Sequence, residues 1–255
     1  MLEAESSPMA VGLSPLEAEA IAAAAYVFGF PLVLSEAVYT ADSKRDHTLS
    51  CESNRTDPVF CLDLRQGALA LQMAAGALLI RDAWTNLVTS FRPDCATGNE
   101  PRAFALVGPG WRGEAPAGSA PIRAPTNLVW VVARGLQGMH RALAPLPAGE
   151  NVAAAALSAV PRRLLSAAVE QVSRMGASTY LSRLARLMRW NPPAAADEPL
   201  LARLRRIGIA PGEPTRLACL PADLKPALVS GIAAARAAMR PTGAEICRQL
   251  TESFL

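Results

Sequence analysis

"AFALVGPGWRGEAPAG", residues Ala103–Gly118, contains a G-x-G-x-x-G pattern directly after a run of apolar residues. The pattern reads Gly108-Pro109-Gly110-Trp111-Arg112-Gly113. In dinucleotide-binding proteins such glycines follow a strand and open a helix, and the N–H groups of that helix bind the pyrophosphate. This stretch therefore decides between two classes of protein, a nucleotide-dependent enzyme and a β-rich protein.

The residues that follow the glycines exclude the nucleotide alternative. Prolines at positions 116, 121 and 125 prevent a helix from forming there, and Pro109 removes a backbone donor from the loop itself. An acidic residue that would bind the ribose about 20 residues further on is missing, since the next one after Glu114 is Glu150. The pattern instead predicts a tight structural turn between two strands, in which glycine supplies positive φ. The turn residues are Gly108, Pro109, Gly110 and Gly113.

Short apolar segments of the kind that form strands flank the glycine stretch on both sides. In 60–66 two leucines alternate with Asp63 and Arg65, which is typical of a half-buried strand. Clusters of Gly, Pro and Asn separate the segments from one another. The segments are 60–66, 68–74, 77–91, 102–107 and 120–134. Together they predict an antiparallel β-sandwich-like core over residues 60–135.

Helical patterns on both sides of this core predict the α+β class. Ser14-Pro15-Leu16-Glu17 is a capping box with proline at the first helical position, and the helix is predicted to end near Phe28, before Gly29 and Pro31. Residues 162–189 predict one amphipathic helix. Further helices are predicted over 197–208, over 221–239 and, from a second capping box, after Thr242.

These patterns predict a division of the chain into four segments. A flexible N-terminus covers 1–13, and an N-terminal helix with the β-rich core covers 14–135. A linker over 136–161 leads to a helical C-terminal part, 162–255, which we expect to pack on the core.

The composition is that of a folded, mildly basic protein. The chain has 255 residues, a net charge of +3 and 51% hydrophobic residues, enough to bury a core. Among 25 basic residues only Lys44 and Lys225 are lysines. This arginine bias, together with the abundance of alanine, indicates a GC-rich bacterial genome rather than a nucleic-acid surface, because phosphate binding needs clustered charge. We therefore predict no nucleic-acid partner.

Several features predict a cytoplasmic protein. Five cysteines without a C-x-x-C pair predict neither a zinc site nor a disulfide framework. The N-terminus lacks a positive region and carries Glu3 and Glu5, unlike a secretory signal. The longest apolar run, 20–34, has 15 residues and is shorter than a membrane-spanning helix, so no transmembrane segment is predicted.

Residues that would identify a catalytic or metal centre are scarce. The two histidines are His47 and His140, and Cys51 lies four residues after the first. A thiol–imidazole pair and two ordinary loop residues are the alternatives for that spacing. The carboxylates that would form a calcium-type site, if the fold brought them together, are Asp42, Asp46 and Asp57. No cofactor is evident, a divalent metal is left open, and no enzyme class is predicted.

Polar residues inside apolar strands form the predicted ligand site. These residues are Arg81, Asp82, Trp84, Asn86, Arg123, Asn127, Trp130 and Arg134. A buried arginine is costly unless it is paired, and two explanations are open. In the structural one, Arg81 pairs with Asp82, the asparagines bond to turn backbone and the tryptophans fill the core. In the functional one, Arg123 or Arg134 binds a small anionic or polar ligand in a pocket with a tryptophan as its apolar wall.

Five blocks occur in the order that is typical of a known family. The blocks are AAYVFGFPLV (24–33), RDAWTNLVTSF (81–91), VGPGWRGEAPAG (107–118), IRAPTNLVWVVAR (122–134) and NPPAAADEPLLARLRRIGIAPGEP (191–214). With them the sequence resembles domain-of-unknown-function family 1254, the N-terminal partner of domain-of-unknown-function family 1214. The resemblance implies a β-sandwich-like core with accessory helices, relatives exported to the bacterial envelope, and a metal ion or small polar ligand in the β domain.

The sequence departs from the family's pattern in three places. The N-x-D-T-L-Y-S block is reduced to NRTDPVF, which leaves Asn54 and Asp57 as its matches. The aromatic R-Y-Y block is replaced by MAAGALLI, 73–80, and the second domain is expected to be missing because the chain ends at Leu255. A divergent paralogue with altered activity is the expected consequence.

Three functions follow as hypotheses. The preferred one is a non-catalytic binder of a small polar or anionic ligand, with assembly as a homo-oligomer left open. The second is a hydrolase that uses carboxylates or a bound metal. The third is a degenerate paralogue that only scaffolds partners.

Overall fold

The computed structural model describes residues 12–44, 59–73, 77–91, 102–115, 119–134, 143–145 and 160–252. The chain has the α+β fold that the sequence predicts. The helices are α1 (Pro15–Asp42), α2 (Arg162–Arg174), α3 (Ala177–Met188), α4 (Glu198–Arg206), α5 (Leu224–Met239) and α6 (Gly243–Thr251). The strands are β1 (Val59–Asp63), β2 (Leu69–Met73), β3 (Ala77–Asp82), β4 (Leu87–Phe91), β5 (Arg102–Val107), β6 (Ala120–Arg123), β7 (Leu128–Arg134) and β8 (Leu143–Pro145).

Contacts divide the chain into two compact units, which we call the helical unit and the β unit. The helical unit comprises Met1–Leu34 and Glu170–Pro241, and the β unit comprises Ser35–Val169 and Thr242–Leu255. This division cuts across the segments predicted from sequence, because α1 and α2 each contribute to both units. The predicted flexible N-terminus, 1–13, lies almost wholly outside the described residues.

The described residues of the β unit form two four-stranded sheets. The first has the order β1-β7-β3-β4 and is antiparallel throughout. The second has the order β6-β5-β2-β8, and in it β5 and β6 run parallel. The prediction of a wholly antiparallel core is wrong for this pair. Parallel neighbours cannot be joined by a tight turn, which the sequence predicted between them, and need a longer crossover connection.

The β8 strand also corrects a sequence prediction. Leu143–Pro145 lies inside the segment 136–161 that was predicted to be a linker, and it pairs with β2. The other residues of that segment, apart from Val160 and Pro161, lie outside the described residues. Val160 donates a backbone hydrogen bond of 2.7 Å to the Val59 carbonyl.

The two sheets of the β unit share one apolar cluster. Its members are Phe60, Leu62, Leu64, Leu78, Ile80, Phe104, Leu106, Ala124, Val129, Val131 and Ala133. Strand β5 alternates, because Phe104 and Leu106 belong to this cluster while Ala105 and Val107 face the other way. Strand β1 is not half-buried as predicted. Residues 59–62 are all buried. The alternation predicts that the Asp63 side chain faces solvent, but this side chain is only 2% exposed.

Helix α1 does not end at Gly29 and Pro31 as predicted but continues to Asp42. A β carbon at Gly29 would lie 2.6 Å from Leu184 Cδ1 and 3.0 Å from Tyr180 Oη, so the glycine permits close packing inside the helical unit. Pro31 removes one helical hydrogen bond. Next to that interruption the Tyr180 hydroxyl donates to the Tyr26 carbonyl at 2.8 Å.

The length of α1 bears on the membrane prediction. By length and composition alone this described helix of 28 residues is able to cross a membrane, and 67% of its most apolar window is buried. The prediction from the apolar run of 15 residues underestimated the length of α1, because the helix continues past Pro31 to Asp42. A membrane-crossing helix, a signal sequence and a buried core helix all pass this test, so it does not separate a cytoplasmic from an exported protein.

The other helix boundaries show which local signals were reliable. In the first capping box Ser14 N–H donates to Glu17 Oε2 at 3.1 Å and Glu17 N–H donates to Ser14 Oγ at 3.2 Å. Thr242 Oγ1 caps α6 by accepting from Glu245 N–H at 3.1 Å. The single helix predicted over 162–189 is instead two, because the chain is extended at Gly176 (φ −61°, ψ 148°).

Candidate functional site

One end of the β unit brings together four of its described connecting segments. Strand β7 begins where the antiparallel strands β1 and β3 end, since Leu128 pairs with Asp63 and Val129 pairs with Asp82. Ala124 N–H donates to the Val107 carbonyl at 2.8 Å, which brings the ends of β5 and β6 to the same place. We call residues 63–68, 82–86, 108–115 and 123–127 the loop end. Loops that a rigid sheet positions are the usual carriers of function.

Asp82 organises the turn between β3 and β4. Its Oδ1 accepts from the backbone N–H groups of Trp84 at 2.9 Å and Asn86 at 2.8 Å, and its Oδ2 accepts from Asn86 Nδ2 at 3.1 Å. Burial raises the pKa of Asp82, while the hydrogen bonds from Asn86 and Trp84 and the charge of Arg81 oppose that rise. Three donors of the same turn thus bind this carboxylate, and the Asn86 side chain bonds to Asp82 rather than to the turn backbone.

Arg81 connects the same turn to α6. Its Nη1 donates to the Thr85 carbonyl at 2.7 Å and its Nε donates to the Leu250 carbonyl at 3.1 Å. Thr85 has φ of 69°, a left-handed conformation that costs a threonine conformational energy. Burial lowers the pKa of the Arg81 guanidinium. Arg81 therefore holds a strained turn and the last helix of the β unit through two backbone carbonyls.

Trp130 is a core residue with a satisfied indole. It is 1% exposed, and its Nε1 donates to Ser35 Oγ at 2.8 Å. Ser35 Oγ in turn donates to the Ala83 carbonyl at 3.2 Å, and Ala83 N–H donates to Thr126 Oγ1 at 3.0 Å. Trp84 is buried as well. Neither of these two tryptophans offers an exposed apolar wall.

Asn127 and Gly108 explain one glycine of the G-x-G-x-x-G pattern. The Asn127 carbonyl accepts from Leu64 N–H at 2.8 Å, and a β carbon at Gly108 would lie 2.7 Å from Asn127 Oδ1. Trp111 N–H donates to the Gly108 carbonyl at 3.2 Å, so a turn is present around Pro109. The prediction of positive φ is wrong, because Gly108, Gly110 and Gly113 all lie outside that region.

Trp111 is the loop-end residue that the sequence prediction missed. Its indole packs on Ala68, Ala105 and Val107, the outer face of the second sheet. A β carbon at Gly113 would lie 2.8 Å from Trp111 Cζ2, so this glycine lets the loop fold around the indole. The signal was available in the sequence, since Trp111 follows a turn directly after an alternating strand.

Arg123 is the predicted site residue that contacts Trp111. Its Nη1 donates to the Trp111 carbonyl at 3.2 Å, and its guanidinium carbon is 5.8 Å from the centroid of the indole. Arg123 is exposed, and among the described residues no carboxylate pairs with it. For Arg134, the alternative cation in the prediction, the side chain lies outside the described residues.

Arg65 is another arginine of the loop end, but unlike Arg123 it is paired with a carboxylate. Its Nε donates to Asp63 Oδ1 and Oδ2, both at 2.9 Å, and its Nη2 forms a salt bridge with Asp63 Oδ2. Hydrogen bonding to Asp63 raises the pKa of Arg65, and burial opposes that rise. This fork-to-fork pair occupies both partners, so Arg65 is not available to an anion in the way that Arg123 is.

A group of titratable residues lies beside this pair, and sequence reasoning did not find it. Burial raises the pKa of the Cys61 thiol well above its usual value, and the nearby carboxylates of Asp42 and Asp63 add to that rise. Burial also raises the pKa of Tyr39, again with a contribution from Asp63. The Cys61 thiol donates to the Ser35 carbonyl at 3.4 Å and stays protonated at neutral pH, so it is not an activated nucleophile.

The remaining predicted chemistry falls largely outside the described residues. His47, His140, Cys51, Asp46 and Asp57 all lie there, as does Asn54. Within the described parts of the chain, no group of three or more His, Cys, Asp or Glu side chains is arranged to hold a metal ion. The thiol–imidazole pair and the calcium-type site therefore stay predictions.

Comparisons with known proteins agree with the resemblance seen in the sequence. Residues 42–152 match the family described as "Protein of unknown function (DUF1254)", which confirms the predicted resemblance over that stretch. A crystal structure of the VPA0106 protein from Vibrio parahaemolyticus is similar in fold, with a TM-score of 0.54 and 14% sequence identity. The similarity covers 89% of this chain and 59% of the other. No curated protein matches the sequence.

Proposed function

We propose that the stretch resembling this family binds a small anionic molecule, a carboxylate, at Arg123 and Trp111. One observation carries the proposal: Arg123 is an exposed guanidinium without a described carboxylate partner, and it lies over the Trp111 indole at an end where several loops meet. An arginine presents a planar fork of N–H groups that matches the two oxygens of a carboxylate. The N–H groups not used on the Trp111 carbonyl are those that would bind the ligand.

The support beneath Arg123 makes it a better ligand-binding group than an ordinary surface arginine. Trp111 is packed on Ala105 and Val107, and its carbonyl accepts one Arg123 hydrogen bond, so both residues are ordered before a ligand arrives. Ordering of side chains in advance reduces the entropy lost on binding. Arg112, exposed and next to Trp111, adds a second positive charge to the loop end. The charge favours an acid, and the indole favours one with some apolar surface.

The arrangement of the two sheets is relevant to the predicted β-sandwich-like core. Side chains from both sheets enter one apolar cluster, which supports a sandwich-like pair of layers as the platform for the loop end. The hydrolase and scaffold alternatives, a divalent metal, homo-oligomer assembly and the cytoplasmic or exported location stay predictions.

The test compares carboxylate binding by matched arginine variants. We expect small carboxylates such as acetate, succinate and benzoate to raise the melting temperature of the protein, and Arg123→Ala to abolish the rise. Arg123→Lys should retain only part of it, because an ammonium cannot bind both oxygens in a fork. Arg162→Ala removes another exposed charge from the same unit and serves as the control.

Two outcomes would contradict the proposal that carboxylates bind at Arg123. If carboxylates stabilise the Arg123→Ala variant as much as the parent protein, or stabilise neither, the loop end does not bind them. Trp111→Leu gives a second reading, since it removes the support of Arg123 and should weaken carboxylate binding without removing any charge.

A further inference from the structure

The interior of the helical unit holds two polar atoms that have no partner among the described residues. Tyr26 of α1 is 0% exposed, and its hydroxyl makes no hydrogen bond there. The Nε of Arg236 in α5 is buried and equally without a described acceptor. Buried polar groups in folded proteins are nearly always hydrogen-bonded, either to protein or to a bound species. Two such exceptions on neighbouring side chains therefore need a common explanation.

The two side chains are in contact, and the groups around them are already engaged. The guanidinium carbon of Arg236 is 5.6 Å from the centroid of the Tyr26 ring. The Tyr180 ring centroid is 4.8 Å from that of Tyr26, but the Tyr180 hydroxyl donates to the Tyr26 carbonyl at 2.8 Å. The Nη2 of Arg236 donates to the Met175 carbonyl at 2.6 Å, in the break between α2 and α3. No neighbouring described group thus serves the Tyr26 hydroxyl or Arg236 Nε.

The chemistry of the two atoms selects the kind of species that would bind. Arg236 Nε–H only donates, and a phenol hydroxyl can donate as well, so the missing partner is an acceptor. Within the described residues no carboxylate forms an ion pair with Arg236, which leaves a half-buried positive charge without a counter-charge. A charge withdrawn from water is stabilised by an opposite charge more than by a neutral molecule.

From these observations we propose that the helical unit binds a small monovalent anion, of the size of chloride, between Arg236 Nε and the Tyr26 hydroxyl. The enclosure sets the size limit. Tyr26 and Tyr180 are both fully buried, and at Gly29 even a single β carbon would approach the Tyr180 hydroxyl to 3.0 Å. Close packing of this kind leaves no room for a larger organic acid, so the proposed ligand is a single ion. This site belongs to the helical unit and is independent of Arg123 and Trp111.

Thermal unfolding in chloride and gluconate at constant ionic strength tests the site. Gluconate is too large to be enclosed, so replacing it with chloride should raise the melting temperature by about 3–5 °C for each tenfold increase in chloride above the dissociation constant. Tyr26→Phe and Arg236→Met should each lose the chloride dependence. Arg203→Met removes an exposed arginine from the same unit and should keep it.

Phenylalanine is nearly isosteric with tyrosine, so we expect Tyr26→Phe to fold. This variant therefore keeps the test decisive even if Arg236→Met does not fold. If the Tyr26 hydroxyl binds nothing, its removal leaves the protein equally or more stable, since an unsatisfied buried hydroxyl is lost. That result, together with no response to chloride, overturns the proposal. A Tyr26→Phe variant that is less stable in a protein indifferent to chloride also overturns it, because a bound water would then occupy the place.

Discussion

Gly110 and Gly113 lie three positions apart in one loop, yet only Gly113 has a neighbour that forbids a β carbon. The Trp111 indole comes within 2.8 Å of the position where that carbon would be, whereas nothing lies within 4 Å of the corresponding position at Gly110. Neither glycine has positive φ. The requirement at Gly113 is therefore steric and arises from the indole that covers the outer face of β5.

This difference predicts opposite effects of two alanine substitutions. Gly113→Ala should displace Trp111 and lower the free energy of unfolding by about 1–3 kcal/mol, as overpacking does. Gly110→Ala should leave it unchanged or raise it by about 0.4–1 kcal/mol, because the unfolded chain loses freedom. Urea denaturation of both variants measures the two values. Equal losses in the two variants would contradict the steric explanation.

Asp82 predicts a dependence of stability on pH. Its pKa is raised in the folded protein, chiefly by burial, so the folded state binds the Asp82 proton more tightly than the unfolded state does. Stability from this group is fully present below the unfolded pKa and is lost as the pH rises through the folded pKa. Asp82→Asn should remove this part of the pH profile of unfolding. A profile that is unchanged in the variant would show that the hydrogen bonds of the turn cancel the effect of burial on the Asp82 pKa.

Helices α1 and α5 approach each other most closely at Gly231 inside the helical unit. A β carbon there would overlap the Glu19 carbonyl oxygen, and backbone cannot move aside as a side chain can. Ser230 Oγ donates to Glu19 Oε1 at 2.8 Å beside the same contact. A helix interior normally disfavours glycine by about 1 kcal/mol relative to alanine. The close approach explains why glycine is nevertheless present at this position.

Gly231→Ala should therefore destabilise the protein although alanine is the better helix former. We expect a loss of about 3 kcal/mol or more in the free energy of unfolding, at the upper end for overpacked positions. Gly176→Ala is the matched control, since the nearest atom to its β carbon would be 4.0 Å away and its φ is ordinary. If Gly231→Ala is tolerated as well as the control, the close approach of the two helices is wrong.

Cysteine labelling reports how the molecule opens as a whole. Cys219 is exposed, whereas Cys61 is buried in the β unit with a raised pKa. A thiol reagent reacts with the thiolate, so Cys61 should be labelled only when the β unit unfolds, and Cys219 at once. Mass spectrometry of the labelled peptides distinguishes the sites. Rapid labelling of Cys61 under native conditions would contradict the burial that the structure shows.

Local patterns were sufficient for much of the architecture. The capping box at Ser14, the strand segments between 60 and 134 and the proline-rich stretch after Gly113 depend on neighbouring residues, so a short window of sequence contains their cause. For the same reason the sequence excluded a nucleotide-binding helix and placed Arg123 among the candidate residues. The resemblance to the family likewise follows from blocks that can be read directly.

The remaining features depend on contacts between residues far apart in the chain. The parallel pairing of β5 with β6, the passage of α1 through Gly29 and Pro31, and the stacking of Arg123 on Trp111 are stabilised by burial and hydrogen bonds that only the folded chain creates. Tyr26 and Arg236, separated by most of the sequence, meet for the same reason. The energy of such long-range contacts cannot be predicted from neighbouring residues. Where these contacts and the local propensities favour different structures, the contacts decide.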